Sequence, residues 1–283
     1  MAAGQPNNTG AIIQARMKSS RLPGKTLMPL PMQINGKPVL GWVIDALKTS
    51  RQVNTIILAT SQEPEDDILV DFALKNGVEA FRGSEHDVLS RFAGAIEQYK
   101  PDTVVRITAD NPILDITELD KLIAYHLLSG NEYTASANMP LGMNMEIVQA
   151  HILTAINCSS EISAQDREHV TLQARTSGLF KQETVAVVHP ALTESIRLTI
   201  DYAADYAVLN MVAQFAIETK LTGLELINYI SKQAPWLWQI NNTAYQVKNY
   251  SSLADEIPIA IQKLKEFGLF RSSDLLKNAG EEN

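Results

Sequence analysis

The sequence predicts an α/β protein: three layers, α/β/α, around a mostly parallel sheet, with a helical tail behind it. Two observations carry this. Apolar, β-rich runs alternate with longer segments of helical period, the β-α-β-α order of a parallel sheet covered on both faces. The first apolar run, Ala11-Ile12-Ile13, also opens directly into a loop rich in cations and hydroxyls. A strand that ends in such a loop is how α/β proteins hold phosphates.

The elements follow in order. Strand-like runs cover 11–14, 55–59, 78–82 and 103–107, and helical segments cover 39–49, 65–76, 87–99 and 116–128. Crossovers between parallel strands are right-handed, and ligands sit beyond the carboxyl ends of the strands. The residues just after each strand are therefore the ones that matter. In the second connection Pro64 and the acids after it suit a helix start, and in the third Ser84 reads as an N-cap with Glu85 and Asp87 as first-turn acids. Residues 133–148 read as strand, turn, strand, with Pro140-Leu141-Gly142 between the two strands, and 149–178 read as helical. A strand-like run covers 184–188. A further strand begins at Ser195 and ends in Asp201, and a helix follows with Asp205 in its first turn, where an acid favours the helix dipole and cap.

Three regions are expected: a disordered N terminus over 1–9, the α/β domain over 10–222 and a helical extension over 223–283. The extension holds helices at 224–232 and 255–267, and its last ten or so residues read as disordered. Between its helices lies Pro235-Trp236-Leu237-Trp238-Gln239-Ile240-Asn241. Two tryptophans one residue apart call for a surface to bury them, on the protein's own core or on a second copy.

Composition narrows the function classes. The chain has 283 residues, a formal net charge of -8 and 45% hydrophobic residues, with a pI near 5.2. An acidic chain argues against a broad nucleic-acid footprint, which would need a basic face. A local basic loop in an acidic protein suits a small polyanion instead. The single cysteine, Cys158, permits neither an intrachain disulfide nor a metal–thiolate cluster and reads as a small buried apolar residue. No apolar run approaches the ~18 residues of a membrane span. Residues 1–9 lack the apolar core of a signal peptide, so a cytoplasmic location is expected.

The basic loop reads Gln14-Ala15-Arg16-Met17-Lys18-Ser19-Ser20-Arg21-Leu22-Pro23-Gly24-Lys25 and places four cations within ten residues. Gly24-Lys25-Thr26 matches the end of a Walker P-loop, but Ser19 stands where the first glycine belongs. Pro29 and Pro31 follow where that motif needs a helix.

Ala15-Arg16-x-x-Ser19-Ser20-Arg21-Leu22-Pro23-Gly24-Lys25, followed by Asn35-Gly36-Lys37-Pro38, resembles the N-terminal signature of the sugar cytidylyltransferases. These enzymes activate acidic sugars with CTP, and the nearest likeness is to the branch of spore coat polysaccharide biosynthesis protein F. Phe81-Arg82-Gly83-Ser84-Glu85-His86-Asp87-Val88-Leu89-Ser90-Arg91-Phe92, Ala109-Asp110-Asn111-Pro112 and Asp166-Arg167-Glu168-His169 extend it. The resemblance implies a Rossmann-like, GT-A-like nucleotide-diphospho-sugar transferase sheet with CTP as co-substrate and Mg2+ as cofactor. By the same resemblance Gln14, Ala15, Arg16, Ser19, Ser20 and Lys25 form the nucleotide cradle, and Arg82 and Ser90 lie near the nucleotide.

Asp110 follows an apolar strand and precedes a turn proline. There a carboxylate can meet magnesium, which takes one or two carboxylates plus phosphate and water, or can form an Asx turn with its own backbone. The resemblance makes Asp110 the first metal ligand and carries the second to Asp201. It places Glu146 and His169 on the acceptor side. His169 reads as a structural residue shaping the acceptor pocket or a subunit contact rather than as a general base, because no orienting partner stands near it in sequence. The chain departs from the pattern at Gln62, Leu141 and Asn144, where charged residues are usual, and at Lys18, where a small one is. Lys18 either adds a charge to the cradle or lies along the surface. Arg16, Lys25 and Asp110 are thus the expected catalytic centre of a CTP-dependent enzyme acting on an anionic sugar, with a homodimer compatible with the tail. The alternatives are the same fold with another nucleotide, or a non-catalytic homologue serving as a partner in glycan assembly.

Overall fold

The computed structural model describes residues 7–34, 36–189, 196–242, 253–266 and 268–281. Its strands are β1 (Thr9–Gln14), β2 (Thr55–Ser61), β3 (Glu79–Gly83), β4 (Thr103–Thr108), β5 (Tyr133–Ala137), β6 (Glu146–Gln149) and β7 (Gln182–Ala186). They form one sheet in the order β3-β2-β1-β4-β6-β5-β7. The first four are parallel. Strand β6 runs antiparallel to both β4 and β5, as a short strand–turn–strand connection requires. Strand β7 pairs parallel to β5.

Alternation along each strand feeds two cores. Ala11 and Ile13 of β1, Leu58 of β2, and Val105 and Ile107 of β4 face one side. Ile12, Ile57, Ala59 and Val104 face the other. On the first side pack α1 (Val39–Leu47), α2 (Asp67–Lys75), α4 (Ile116–Ser129), α8 (Ala203–Thr219) and α9 (Gly223–Gln233). On the second pack α3 (Val88–Tyr99), α5 (Ala150–Asn157) and α7 (Leu172–Thr176). The short α6 (Ala164–His169) buries no residue of its own and lies against α3. It is tied there by Arg167, whose Nη1 reaches Asp87 Oδ2 at 2.6 Å. The cap of α3 is Asp87, which accepts from the Ser90 N–H at 2.8 Å; the expected cap, Ser84, holds the Asp87 N–H instead. Between α4 and β5 lies buried His126, whose Nδ1 meets Thr134 Oγ1 at 2.9 Å. Burial pushes its imidazole down to about 4, so it is neutral in the folded protein.

Three expectations change at this level. The segment ending in Asp201 is extended but is not a strand; Ser195 lies outside the described residues, and a single parallel bridge joins Leu141 to Arg197. Gly142 explains the close approach: its φ is +99°, and a Cβ there would stand 2.7 Å from the Leu198 carbonyl carbon. Cys158 is exposed rather than buried. Strand β1 begins at Thr9, and the Asn8 N–H is held by Asp102 Oδ2 at 2.8 Å; residues 1–6 lie outside the described set.

By packing, the chain forms two compact units, 1–244 and 245–283. Helix α9 stays with the first unit because Asp115 holds two helix starts at once, accepting from Glu118 N of α4 at 2.9 Å and from Leu224 N of α9 at 2.8 Å. Beyond α9, Leu237 and Trp238 enter the core while Trp236 stays 52% exposed, so one of the two tryptophans is buried on the protein's own core. The second unit is a helical pair, α10 (Leu253–Glu266) and α11 (Phe270–Glu281). Helix α11 therefore occupies much of the stretch expected to be disordered. Gln246-Val247-Lys248-Asn249-Tyr250, which keeps only a trace of the Lys-Arg-Asn-Glu-rich stretch of the resembled branch, lies outside the described residues. No helix among those described is long and apolar enough to cross a membrane.

Candidate functional site

Strand β1 pairs with β2 on one side and β4 on the other, so the chain order reverses across the β1–β4 seam. Such a switch point leaves a crevice at the carboxyl ends of the strands. A cavity of about 490 Å³ opens there, walled by the β1 exit, the β4 exit and the ends of α3 and α6. Two larger cavities lie elsewhere, of about 590 Å³ at the amino end of β4 and about 930 Å³ between α1, α4 and the start of α9. Size does not choose among them. Of these three, and among the described residues, only the β1–β4 cavity gathers six cationic side chains, Arg16, Lys18, Arg21, Lys25, Arg91 and Arg106, against three carboxylates, Glu85, Asp110 and Glu168.

The β1 exit loop is closed on itself. The Gly24 N–H donates to the Met17 carbonyl at 3.1 Å, and Gly24 has φ +73°, a conformation glycine adopts without steric cost. The turn delivers Lys25 into a buried position. The start of the loop is pinned by Asp66, which accepts from Met17 N at 2.7 Å, Ser61 Oγ at 2.5 Å and Thr60 Oγ1 at 3.0 Å. Burial alone would raise this carboxyl; the bonds it accepts from Ser61, Met17 and Thr60 hold it below its ordinary value. Gln14, Ala15, Arg16, Ser19, Ser20 and Lys25 all line the cavity. Arg16 is exposed, with no ion pair among the described residues. Lys18 lines the cavity too, with its ammonium 3.5 Å from Glu63 and 3.7 Å from Glu65.

Asp110 and Asp201 converge because the 196–201 segment runs beside the β4 exit, with the Ile200 N–H donating to the Asp110 carbonyl at 3.0 Å. The ammonium of Lys25 stands between them. Its Nζ lies 2.5 Å from Asp110 Oδ2, 2.6 Å from the Ile200 carbonyl and 3.1 Å from Asp201 Oδ1. Asp201 also takes Arg21 at 2.7 Å and Arg197 at 2.8 Å. Burial opposes its charge, but Lys25, Arg21 and Arg197 keep the carboxyl below its usual range. Arg197 in turn donates to Asp205 at 2.7 and 3.1 Å. Asp205 accepts the main-chain N–H groups of Asp201 and Tyr202, each at 2.9 Å, and the Asn241 amide at 3.0 Å. Its helix-start role is thus joined by a buried ion pair that positions Asp201.

The other expected residues divide. His169 lines the cavity and is exposed. The bond from Thr171 N to the His169 carbonyl closes a three-residue turn around Val170 (φ +56°, ψ -59°), a strained backbone for a β-branched residue. Glu146 does not reach the cavity itself. Its carboxylate is consumed by Arg106 at 2.6 Å, the Tyr133 hydroxyl at 2.6 Å and the Thr171 hydroxyl at 3.0 Å. Burial would raise it, and Arg106 with these bonds lowers it. Its effect on the site passes through Arg106, which lines the cavity and reaches Gln14 Oε1 at 3.3 Å.

Arg82 and Ser90 lie outside the cavity wall. The Arg82 guanidinium holds the Ser61 and Glu63 carbonyls and Asp67, and the Ser90 hydroxyl bonds back to the Asp87 carbonyl. The arginine of this stretch that does line the cavity is Arg91. It is 2% exposed, yet it lines the cavity, with Nη1 on the Ser84 and Glu85 carbonyls and Nε unpartnered among the described residues. Burial and the like charge of Arg16 both act against its protonated form, which an anion in the cavity would relieve.

A divalent cation can be tested against this donor set. The three oxygens around the Lys25 ammonium are hard donors already converging on one cation, the chemistry magnesium takes. No cluster of three or more His, Cys, Asp or Glu side chains suited to a metal occurs among the described residues. An ion on Asp110 and Asp201 would therefore complete its shell from phosphate and water, as magnesium commonly does.

Three comparisons bear on the identity of this site. A family model described as cytidylyltransferase matches residues 10–233. The spore coat polysaccharide biosynthesis protein SpsF of Bacillus subtilis (strain 168) is 36% identical over 227 residues, which are 78% of this chain and 93% of that protein. The 8-amino-3,8-dideoxy-manno-octulosonate cytidylyltransferase of Shewanella amazonensis is 31% identical over 122 residues, 41% of this chain and 46% of that protein. Among solved structures, a cytidylyltransferase from Leptospira borgpetersenii serovar Hardjo-bovis superposes with a TM-score of 0.75 at 30% identity, over 85% of this chain and all of that one.

Proposed function

The chain belongs to the cytidylyltransferase family, and from that premise we propose that it transfers a cytidylyl group from CTP to an acidic, nonulosonate-like sugar and releases pyrophosphate. The observation that carries the proposal is the set of six cations around one cavity at the β1–β4 seam, with Asp110 and Asp201 converging beside it. A sugar hydroxyl attacks the α-phosphorus of CTP. The new bond joins the sugar oxygen to that phosphorus, the bond to the β-phosphate bridge breaks, and the hydroxyl proton is released. Little covalent chemistry falls to the protein, whose work is alignment and charge neutralisation.

Arg16, Ser19, Ser20 and the main chain at Gln14 and Ala15 hold the phosphates in this reading, and Arg91 adds a fixed charge from the opposite wall. Lys25 joins them when it leaves the carboxylates. Magnesium on Asp110 and Asp201 would supply charge neutralisation at the α-phosphate and a lowered pKa for the attacking hydroxyl. His169 and Arg106, the latter oriented by Glu146, face the acceptor. The octulosonate named for the Shewanella relative is a sugar acid and supports that acceptor class.

A pyrophosphate-release screen of acidic sugars against CTP, UTP, GTP and dTTP, with magnesium, tests the proposal. CTP is expected to be the working nucleotide and to give the largest rise in melting temperature, since a ligand that binds the folded state alone stabilises it by mass action. Equal turnover or equal shifts with all four would remove CTP. No turnover with any pair would favour the non-catalytic reading that the departures at Gln62, Leu141 and Asn144 leave open.

A further inference from the structure

We propose that the Lys25 ammonium is the resident cation of the Asp110–Asp201 site in the nucleotide-free protein, so that a divalent ion enters only together with nucleotide, whose phosphates receive the displaced ammonium. This rests on the reading of the site given above and adds an order to it: nucleotide and metal bind as one unit, and metal alone is refused.

Geometry is the first ground. A lysine ammonium has three N–H donors, and Lys25 spends all three, on Asp110 Oδ2, the Ile200 carbonyl and Asp201 Oδ1. The side chain is only 11% exposed, so water does not compete for those contacts. Magnesium sits about 2.1 Å from its oxygens. An ion on Asp110 Oδ2 and Asp201 Oδ1 would overlap a nitrogen lying 2.5 and 3.1 Å from the same two atoms. Occupancy by one excludes the other.

Charge is the second ground. Asp110, Asp201 and Asp205 face Lys25, Arg21 and Arg197, so the cluster is neutral as it stands. A divalent ion alone adds two uncompensated charges to a largely buried group, which is costly. A nucleoside triphosphate brings the balancing negative charge, and it does so beside Arg16, which is exposed and has no ion pair among the described residues. The anion thus gives the displaced ammonium a new partner at the moment the metal takes its place.

Manganese is the probe. Its binding to nucleotide-free protein is followed by the loss of the free-ion electron paramagnetic resonance signal. Ternary binding is followed by water proton relaxation, with the manganese–CTP binary complex titrated as reference. Wild-type protein is expected to bind manganese at least tenfold more weakly without CTP than with it. Lys25→Gln is expected to bind manganese without nucleotide at least tenfold more tightly than wild type, and to gain melting temperature from manganese alone, which wild type does not. The inference is overturned if wild type binds manganese equally well with and without CTP, a comparison that needs no folded variant. It is equally overturned if folded Lys25→Gln binds no tighter than wild type. Asp110→Asn separates the two levels: if it loses ternary binding while Lys25→Gln behaves as wild type, the site assignment stands and the ordering falls. If Asp110→Asn leaves ternary manganese binding untouched, the assignment itself falls and the ordering with it.

Discussion

Asp110→Ala is expected to lose about a thousand-fold in pyrophosphate release from CTP, about 4 kcal/mol of transition-state stabilisation, while its melting temperature stays within about 3 °C of wild type. The two effects separate because of where the side chain sits. Asp110 follows β4, its carboxylate is 25% exposed, and its main-chain carbonyl keeps the Ile200 N–H whatever the side chain. Truncation leaves Lys25 with the Ile200 carbonyl and Asp201, so no charge is stranded in the core. Turnover within tenfold of wild type would remove Asp110 from the chemistry. A fall in activity matched by a fall in stability would assign it a structural role only.

Asp205→Ala is expected to do the reverse: stability falls by about 3–5 kcal/mol, the cost of removing one partner from a buried ion pair, and melting drops by about 10 °C. Asp205 is fully buried and accepts five hydrogen bonds, from Arg197 twice, from the Asp201 and Tyr202 main chain and from Asn241. Its removal leaves the Arg197 guanidinium, 6% exposed, with Asp201 alone, and frees two N–H groups at the start of α8. Asp205→Asn keeps the shape and part of the bonding and is expected to lose less. Urea unfolding followed by far-ultraviolet circular dichroism measures both, and a loss under about 1 kcal/mol for the alanine variant would contradict the buried pair.

The sheet could be read from the sequence because parallel strands covered on both faces are nearly continuous apolar runs, as Ala11-Ile12-Ile13 and Val104-Val105 are. The segment from Ile196 to Ile200 carries the alternating apolar–polar pattern of a strand but makes only one bridge, since pairing is a tertiary fact that propensity does not contain. That the loop after β1 lines a cavity could be anticipated because its residues are consecutive and follow a strand. What could not be read was how each charge is spent. Glu146 is consumed by Arg106, Tyr133 and Thr171, and Lys25 by two carboxylates, through contacts made across 40 and 85 residues. Arg197, which couples Asp201 to Asp205, carried no motif. Arg91 could have been found: Val88, Leu89, Phe92, Ala95 and Ile96 mark the buried face of α3, and a cation falling on an apolar face needs an anion to meet. The tail tryptophans signalled burial, but only packing around Asp115 and Trp238 shows which unit provides it.

The central claim is that a triphosphate is gripped at the β1 exit with a divalent ion on Asp110 and Asp201. The most direct test is a crystal structure of the protein with CTP and manganese, the ion located by its anomalous scattering. The account predicts one strong peak bound by both carboxylates, the triphosphate against Arg16, Ser19 and Ser20, and the Lys25 ammonium moved from the carboxylates onto phosphate. A nucleotide bound in either of the two larger cavities, or a manganese ion remote from Asp110 and Asp201, would contradict it.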